Sequence, residues 1–160
     1  MTDTLRPPAL DPMTLPARTG SSYPAPYDAD CADREKRALG DALGLTRYGV
    51  NLVRLAPGSW SAQRHWHEKE DEFVYILEGT ATLVTDGGEQ TLEPGMVAGF
   101  PGGREDGHHL INKSDAMVVY LEVGDRPPSD DCHYPDIDLH IEDGKGPHPG
   151  AYTNKKGEPY

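Results

Sequence analysis

Between residues 47 and 124 the chain divides into eight short segments typical of β-strands, and this spacing limits the folds that it can adopt. Most of these segments contain several β-branched or aromatic residues, and each is bounded by Gly, Pro, Asp or Asn, which favour turns. Asp86-Gly87 marks the strongest turn, because this pair suits the positive φ angles of a tight hairpin. No apolar repeat continues long enough for a helical bundle. The pattern predicts an all-β fold, with antiparallel strands in a small closed barrel or a sandwich.

The segments on either side of this region have a different composition. Residues 1–46 and 126–160 are rich in proline, aspartate and glycine, which favours extended arms over a separate core. One short helix is predicted around Asp33 to Leu43, ending near Gly40 or Gly44. We therefore expect one domain, with an N-terminal arm over 1–46, a β-barrel over 47–125 and a wrapping C-terminal arm over 126–160.

The acidic composition disfavours several classes of partner. With 27 acidic and 15 basic residues the net charge is −12, which argues against binding to nucleic acid or to an anionic membrane surface. The N-terminus lacks the basic and then apolar pattern of a secretion signal, and no apolar run reaches the length of about 18 residues that a membrane span needs. Cys31 and Cys132 form no CxxC pair and are predicted to be unreactive thiols. We expect a cytoplasmic protein.

Two histidines, His65 and His67, lie one residue apart on a predicted strand. Side chains at positions i and i+2 of a strand emerge on the same face, so the two imidazoles should lie close together. A third imidazole, from His108 or His109, is available on a later predicted strand and can reach the same interior. Paired imidazoles on one face of a strand are typical of a metal site.

A carboxylate completes this set. Glu72 has the opposite parity to His67, so the polar run between them, with Glu68, Glu70 and Asp71, is predicted to be a solvated turn that brings Glu72 back to the same point. Three neutral imidazoles and one carboxylate suit one divalent transition metal ion, namely Zn, Mn, Fe, Ni, Co or Cu, with positions left open for a ligand.

The spacing of these residues resembles the first cupin motif, in which a glycine precedes His-x-His, a glutamate and a second glycine. Here the motif is formed by Gly58, His65, His67, Glu72 and Gly79, with six residues rather than five after Gly58. The resemblance implies a cupin double-stranded β-helix, which is a small jelly-roll barrel.

The second cupin motif follows in the expected order as Gly95, Pro101, Gly103, His108 and Asn112, with four residues rather than two before the histidine. Matching its His-x3-Asn element selects His108 over His109 as the third imidazole. The resemblance therefore implies His65, His67, Glu72 and His108 as metal ligands. The whole chain resembles a bacterial subgroup of small single-domain cupins, some of which are labelled sugar-phosphate isomerases.

Further polar residues are candidates for supporting roles around the ligand set. Those predicted to surround the metal, or to hydrogen-bond a polyhydroxylated molecule, are Gln63, His109, Asn112, Tyr120 and Glu122. Four arginines are interpreted as surface ion-pair partners in so acidic a protein, namely Arg47, Arg54, Arg64 and Arg104. In the C-terminal arm, His133, Asp136 and His140 are more typical of a structural lid or dimer contact than of a cavity mouth.

Three functions are compatible with a metal in a small barrel. The first is a metal-dependent enzyme that acts on a sugar, sugar phosphate, hydroxy acid or keto acid by Lewis-acid isomerase or epimerase chemistry. The second is an Fe(II)-dependent dioxygenase, and the third is a non-catalytic binder or sensor of a small ligand in the barrel. We rank them in that order, because the predicted cavity wall is polar.

A homodimer is also predicted. The strand Phe73–Leu77 is apolar at both parities, which indicates burial on both faces. Phe73, Tyr75 and Leu77 would lie opposite the metal face, and a barrel exterior this apolar needs cover from a second copy.

Overall fold

The computed structural model describes residues 7–142 and 151–160, and strands dominate this part of the chain. The strands are β1 (Arg18–Thr19), β2 (Arg34–Ala38), β3 (Tyr48–Leu55), β4 (Trp66–His67), β5 (Glu72–Glu78), β6 (Ala81–Thr85), β7 (Gly88–Leu92), β8 (Val97–Phe100), β9 (His109–Ile111), β10 (Val118–Asp125), β11 (Cys132–His133), β12 (His140–Ile141) and β13 (Tyr152–Thr153). Two 3₁₀ turns span Pro12–Thr14 and Ala29–Cys31, and one helix, α1, spans Leu39–Ala42. No helix among the described residues is long and apolar enough to cross a membrane.

Two antiparallel sheets form the barrel and enclose its core. The larger sheet has the order β1-β2-β3-β10-β5-β8, and the smaller has the order β7-β6-β9. Alternate residues of each strand point inward, so Val53 and Leu55 of β3 and Val74 and Ile76 of β5 are buried with Leu83 of β6. This arrangement confirms the all-β jelly-roll expected from the sequence.

A third sheet lies beside the barrel and joins the C-terminal segment to β4, with the order β13-β12-β11-β4. The register pairs Cys132 with His67 and His133 with Trp66. One face of this sheet is buried in a second apolar cluster, which Tyr23 and Tyr27 of the N-terminal segment complete. The C-terminal segment is therefore paired directly with the strand that carries His67.

The helix predicted over Asp33 to Leu43 is wrong over its first half. Arg34–Ala38 forms β2 and pairs with β3, because the exposed edge of β3 supplies hydrogen bonds along the whole segment. The helix is limited to Leu39–Ala42 and is followed by Gly44, whose φ of 72° ends it. A side chain at Gly40 would meet the backbone nitrogen of Val50 at 2.9 Å, so α1 packs closely against β3.

Two other local expectations need correction. The hairpin between β6 and β7 is present with Asp86 and Gly87 as its loop, but the positive φ lies at Gly88. Within the single chain β5 is not buried on both faces, since Phe73, Tyr75 and Leu77 are each about two-fifths exposed, at 41%, 38% and 39%, and burial of this outer row requires a second copy. These three side chains form the outer row of β5, while Val74 and Ile76 point into the core.

Candidate metal centre

Three histidines converge on one oxygen of Glu72, at the end of the barrel where β4 and β5 begin. His67 lies on β4, and Glu72 is the first residue of β5. His65 and His108 are held opposite each other by a pair of backbone hydrogen bonds, with N–O distances of 3.2 and 2.9 Å. The polar run after His67 leaves the strand, which allows Glu72 to return to the same point as the sequence predicts.

The distances within this cluster lie on either side of those expected between neighbouring metal ligands. Glu72 Oε2 lies 2.8 Å from His108 Nε2, 3.6 Å from His65 Nε2 and 3.7 Å from His67 Nε2. Donor atoms bound to one ion at about 2.0–2.2 Å are separated by roughly 3–3.5 Å. The ligand atoms of His65, Glu72 and His108 all lie within 4.8 Å of one another, and His67 approaches from the side of His65.

Oxygen atoms beside Nδ1 orient the three imidazoles. Each Nδ1 has an oxygen beside it, at 2.8 Å for His65 and the Gln63 carbonyl, 2.5 Å for His67 and Asp130, and 3.4 Å for His108 and the Asp106 carbonyl. A neutral imidazole that donates its Nδ1–H outward presents the lone pair of Nε2 inward. His108 Nε2 also lies 2.8 Å from Glu72 Oε2, within hydrogen-bonding distance when this nitrogen is protonated. With all three Nδ1–H groups directed outward, three Nε2 lone pairs and one carboxylate would form a donor set that fits a metal ion.

The charges of the cluster agree with this interpretation. Burial would raise the pKa of Glu72, but its interactions with His108 and His65 outweigh burial and hold the pKa well below its usual range. Burial lowers the pKa of His108 further than Glu72 raises it, so this imidazole is neutral. The pKa of His65 is raised, because the charge of Glu72 outweighs the effect of burial. A buried carboxylate anion thus attracts positive charge to this point.

A cavity of about 430 Å³ opens onto the cluster and is bordered by His67, Glu72 and His108. Its polar wall differs from the one predicted, because Gln63, Asn112, Tyr120 and Glu122 are not among the lining residues. The polar and charged side chains that line it are those of Glu70, Thr85, Gln90, Arg104 and Asp106. The alternation of side chains along a strand does not predict these lining residues, because they come from β6, β7 and two loops.

The five polar residues predicted to surround the metal or to hydrogen-bond its ligand do not line the cavity. Gln63 donates to the Tyr27 carbonyl, and Asn112 donates to the carbonyls of Leu55 and Ala116. His109 Nδ1 donates to the Ala62 carbonyl, and the ring packs edge-on against Trp60. The Tyr120 ring lies in the barrel core, and Glu122 accepts a hydrogen bond from Asn51 and pairs with Lys36.

Glu70 is not the solvated turn residue that the sequence predicts. Its carboxylate lines the cavity, 3.8 Å from His67 Nδ1, and is packed over Gly124, where a side chain would overlap it. Burial, followed by the charges of Glu72 and Asp130, raises the pKa of Glu70 to about 8. Glu68 and Asp71 in the same turn are exposed.

Sequence reasoning missed two neighbours of the cluster, Asp130 and Cys132. Asp130 accepts a hydrogen bond from His67 and one from the backbone N–H of Lys69 at 2.7 Å. Cys132 Sγ lies within 4.8 Å of ligand atoms of His65 and His67, and burial raises the pKa of this thiol well above its usual range. Phe100, the last residue of β8, stacks on His108 with ring centroids 3.6 Å apart. Asp130 and Cys132 are about 60 residues from His67 in the sequence, and the pairing of β11 with β4 brings this segment to His67.

Arg64 forms ion pairs at the surface, whereas Arg104 and Trp66 border the cavity. Arg64 forms a two-pronged ion pair with Asp136, at 2.7 Å for both contacts, and a further pair with Asp86. Arg104 has a 71% exposed side chain at the cavity rim. Trp66 stacks on His133 on the far side of β4, and it also borders the cavity.

The fold and the cluster together define a small antiparallel β-barrel that carries a set of candidate metal-ligand side chains at one end. Residues 51–124 match the cupin domain family. A crystal structure described as a sugar phosphate isomerase from a cupin superfamily, from Silicibacter pomeroyi, is 42% identical, covers 96% of each chain and has a TM-score of 0.89. The chain therefore belongs to the cupin superfamily.

Two further solved structures place this assignment in context. One from Acidithiobacillus ferrooxidans, whose name as a sugar phosphate isomerase is provisional, is 31% identical over 76% of this chain and 75% of its own, with a TM-score of 0.67. The polyketide cyclase RemF from Streptomyces resistomycificus is 22% identical over 73% and 78%, with a TM-score of 0.58, and shows the fold alone. None of the curated proteins matches the chain.

Proposed function

We propose that the protein is a metal-dependent enzyme that isomerises a small oxygenated molecule, with a sugar phosphate as the preferred substrate class. The observation that carries the proposal is the convergence of three inward-facing Nε2 atoms on the Glu72 carboxylate at one end of a polar cavity. His65, His67, Glu72 and His108 would hold one divalent transition metal ion. Mixed nitrogen and oxygen ligands of this kind suit Zn, Mn, Fe, Ni, Co or Cu.

A bound ion would supply Lewis-acid polarisation of a carbonyl or hydroxyl oxygen. The side chains of the cavity supply the remaining functions. Thr85 and Gln90 can hydrogen-bond hydroxyl groups, and Arg104 at the rim is the one lysine or arginine among the described lining residues. An exposed guanidinium in this position suits a phosphate group that stays near solvent. The names of the two isomerase-labelled relatives agree with this substrate class.

Isomerisation between a carbonyl and the neighbouring carbon needs a group that removes a proton from one carbon and returns it to the other. Glu70 is suitably placed, because its carboxylate lines the cavity beside the cluster without being one of the four ligands. We assign it the proton transfer. Positioned acid–base groups contribute about 10²–10⁴-fold to rates, so Glu70→Gln should lower kcat by at least about 100-fold.

The metal assignment is tested by elemental analysis of protein purified without a histidine tag. His65→Ala and His108→Ala should each lose the barrel ion, because each removes one of four ligands. His109→Gln is the matched control, since its ring packs outside the cluster, and it should retain the ion. Loss of metal from the His109 variant alone would show that the ligand set is wrong.

The reaction is tested with apo-protein loaded in turn with Mn(II), Zn(II) and Fe(II), in deuterated water and without oxygen. Pooled aldose and ketose phosphates are followed by NMR for conversion and for deuterium beside the carbonyl. We expect oxygen-independent turnover that Glu70→Gln abolishes and that Glu89→Gln, an exposed carboxylate on β7, leaves unchanged. Substrate-dependent oxygen uptake with iron alone would favour the dioxygenase, and no turnover with any metal would favour the non-catalytic binder.

A further inference from the structure

The sheet that joins the C-terminal segment to β4 carries metal-ligand side chains on both faces. Its register forms one row from His67, Cys132 and Ile141 and a second row from Trp66, His133 and His140. Adjacent residues of a strand point to opposite faces, so the second row faces away from the barrel cluster. Two imidazoles therefore lie on neighbouring strands of the outer face, with ring centroids 4.9 Å apart.

Two carboxylates reach the same outer face. Glu68 follows His67 and Asp131 precedes Cys132, so both have the parity of the outer row, and the Glu68 N–H donates to the Asp131 carbonyl at 3.0 Å. Glu68 Oε1 lies 3.0 Å from His133 Nε2, and Asp131 Oδ2 lies 3.3 Å from His140 Nε2. Ligand atoms of Glu68, Asp131 and His133 all lie within 4.8 Å of one another.

We propose that Glu68, Asp131, His133 and His140 form a second divalent metal site, separate from the barrel and suited to Zn²⁺. Two imidazole nitrogens and two carboxylate oxygens make the four-coordinate set that zinc accepts. Zinc ligands at about 2.0–2.2 Å lie roughly 3.2–3.5 Å apart, and the two imidazole–carboxylate distances are close to that separation. The ion would sit between the two pairs and neutralise both carboxylates.

The surroundings of the four side chains suit an ion that exchanges with solvent. Their exposed fractions range from 22% for His140 to 46% for Glu68, so each can be reached from outside. Trp66 stacks on the His133 ring with centroids 4.1 Å apart and planes at 13°, which holds the imidazole in place. A cleft of about 420 Å³ borders both histidines and leaves space for a water or a further ligand on the ion.

The position of this site gives it a consequence for the barrel. Asp131 follows Asp130, which binds His67, and Glu68 follows His67 itself. An ion shared by Glu68 and Asp131 would fasten these two segments together, and so would hold Asp130 against His67. The outer site would then stabilise the arrangement of the inner one without being part of it.

The proposal is tested by equilibrium dialysis of the full chain against Zn²⁺, followed by elemental analysis. We expect two ions per chain in the wild type, one in His133→Ala/His140→Ala, and one in His65→Ala/His108→Ala. Lys155→Gln is the control, because Lys155 lines the same cleft but cannot act as a ligand while protonated, and it should still hold two. If the barrel binds no metal but the outer site does, the wild type should hold one ion, and only His133→Ala/His140→Ala should lose it.

Single carboxylate variants keep the test valid if the double histidine variant fails to fold. Glu68→Gln and Asp131→Asn should each weaken zinc binding in the His65→Ala/His108→Ala background by about tenfold or more. X-ray absorption on that background should show nitrogen and oxygen ligands, with imidazole scattering. Zinc retained at full affinity in the outer-site variants, or one ion in the wild type that only the barrel variant loses, would overturn the proposal.

Discussion

At the scale of single residues, Asp130 is the side chain that most clearly joins the C-terminal segment to the barrel cluster. One carboxylate oxygen accepts from His67 Nδ1 at 2.5 Å, and the other accepts from the backbone of Lys69 at 2.7 Å. Partial burial would raise the pKa of Asp130, but these hydrogen bonds outweigh it and lower the pKa. Asp130 is therefore an anion that orients His67 and makes its Nε2 a stronger donor.

We predict that Asp130→Asn weakens zinc binding in the barrel by about 10–100-fold, because the amide replaces one accepting oxygen and removes the charge behind the imidazole. Competition with a chelating dye measures this affinity, in the His133→Ala/His140→Ala background to remove any contribution from the outer face. Ser129→Ala, which removes a neighbouring hydroxyl from the same segment, should bind as the parent does. Equal affinity in the Asp130 and Ser129 variants would contradict the role of Asp130.

At the scale of elements, Arg64 connects three parts of the chain just before His65. It pairs with Asp136 of the C-terminal segment and with Asp86 of the β6–β7 hairpin, and donates to the Gly107 carbonyl at 3.1 Å. The Arg64 guanidinium lowers the pKa of Asp136 in the folded state. A lowered pKa stabilises the fold above the unfolded-state value of about 4, and this stabilisation is lost as the pH falls through the lower folded-state value.

We therefore predict that Asp136→Asn lowers the Tm at pH 7. The difference from wild type should disappear at acid pH, because protonated Asp136 is neutral, as the asparagine of the variant is at every pH. An exposed pair contributes about 1 kcal/mol or less, which corresponds to a decrease in Tm of up to about 2–4 °C for a chain of this size. Thermal unfolding across the pH range checks this. Asp115→Asn corrects for the general effect of removing one negative charge, and a difference that persists unchanged at low pH would contradict the ion-pair explanation.

The elements also show how far the sequence determines the fold. All eight strands predicted between residues 47 and 124 are present, because alternation and turn residues are local signals. The strands outside that range were not predicted, since β2 and β11–β13 form only where a partner edge is available. Arg34–Ala38 shows this, because its composition permits a helix and its pairing with β3 decides for a strand.

In the candidate site, too, local patterns predict some residues, while others are placed by contacts between distant parts of the chain. Strand parity and the two motifs selected His65, His67, Glu72 and His108 as candidate ligands, and the structure brings these side chains close together. The residues around them were not predictable, because Glu70 and Asp130 reach the cluster from loops whose direction depends on distant contacts. Gln63 and Asn112 were chosen by parity and motif, and instead hold the loops that shape the barrel.

At the scale of the whole molecule, the outer face of the larger sheet is the surface that requires explanation. Phe73, Tyr75 and Leu77 form the outer row of β5, and Val97 of β8 is paired with Tyr75 in the register and is 52% exposed. Within residues 7–142 and 151–160 no segment covers these side chains. A contiguous apolar patch on an otherwise acidic protein of net charge −12 is typical of a protein–protein interface.

We predict that a second copy covers this face and that the protein is a homodimer in solution. Light scattering coupled to gel filtration should give twice the chain mass of 17.5 kDa at micromolar concentration. Tyr75→Asp should shift the protein towards the monomer, because it places a charge at the centre of the apolar row and both copies would carry it. Met13→Asp is the matched control, since Met13 is also exposed but lies in the N-terminal 3₁₀ turn, and it should remain dimeric. A wild-type monomer at these concentrations, or a dimer that Tyr75→Asp leaves intact, would show that the β5 face is not the interface.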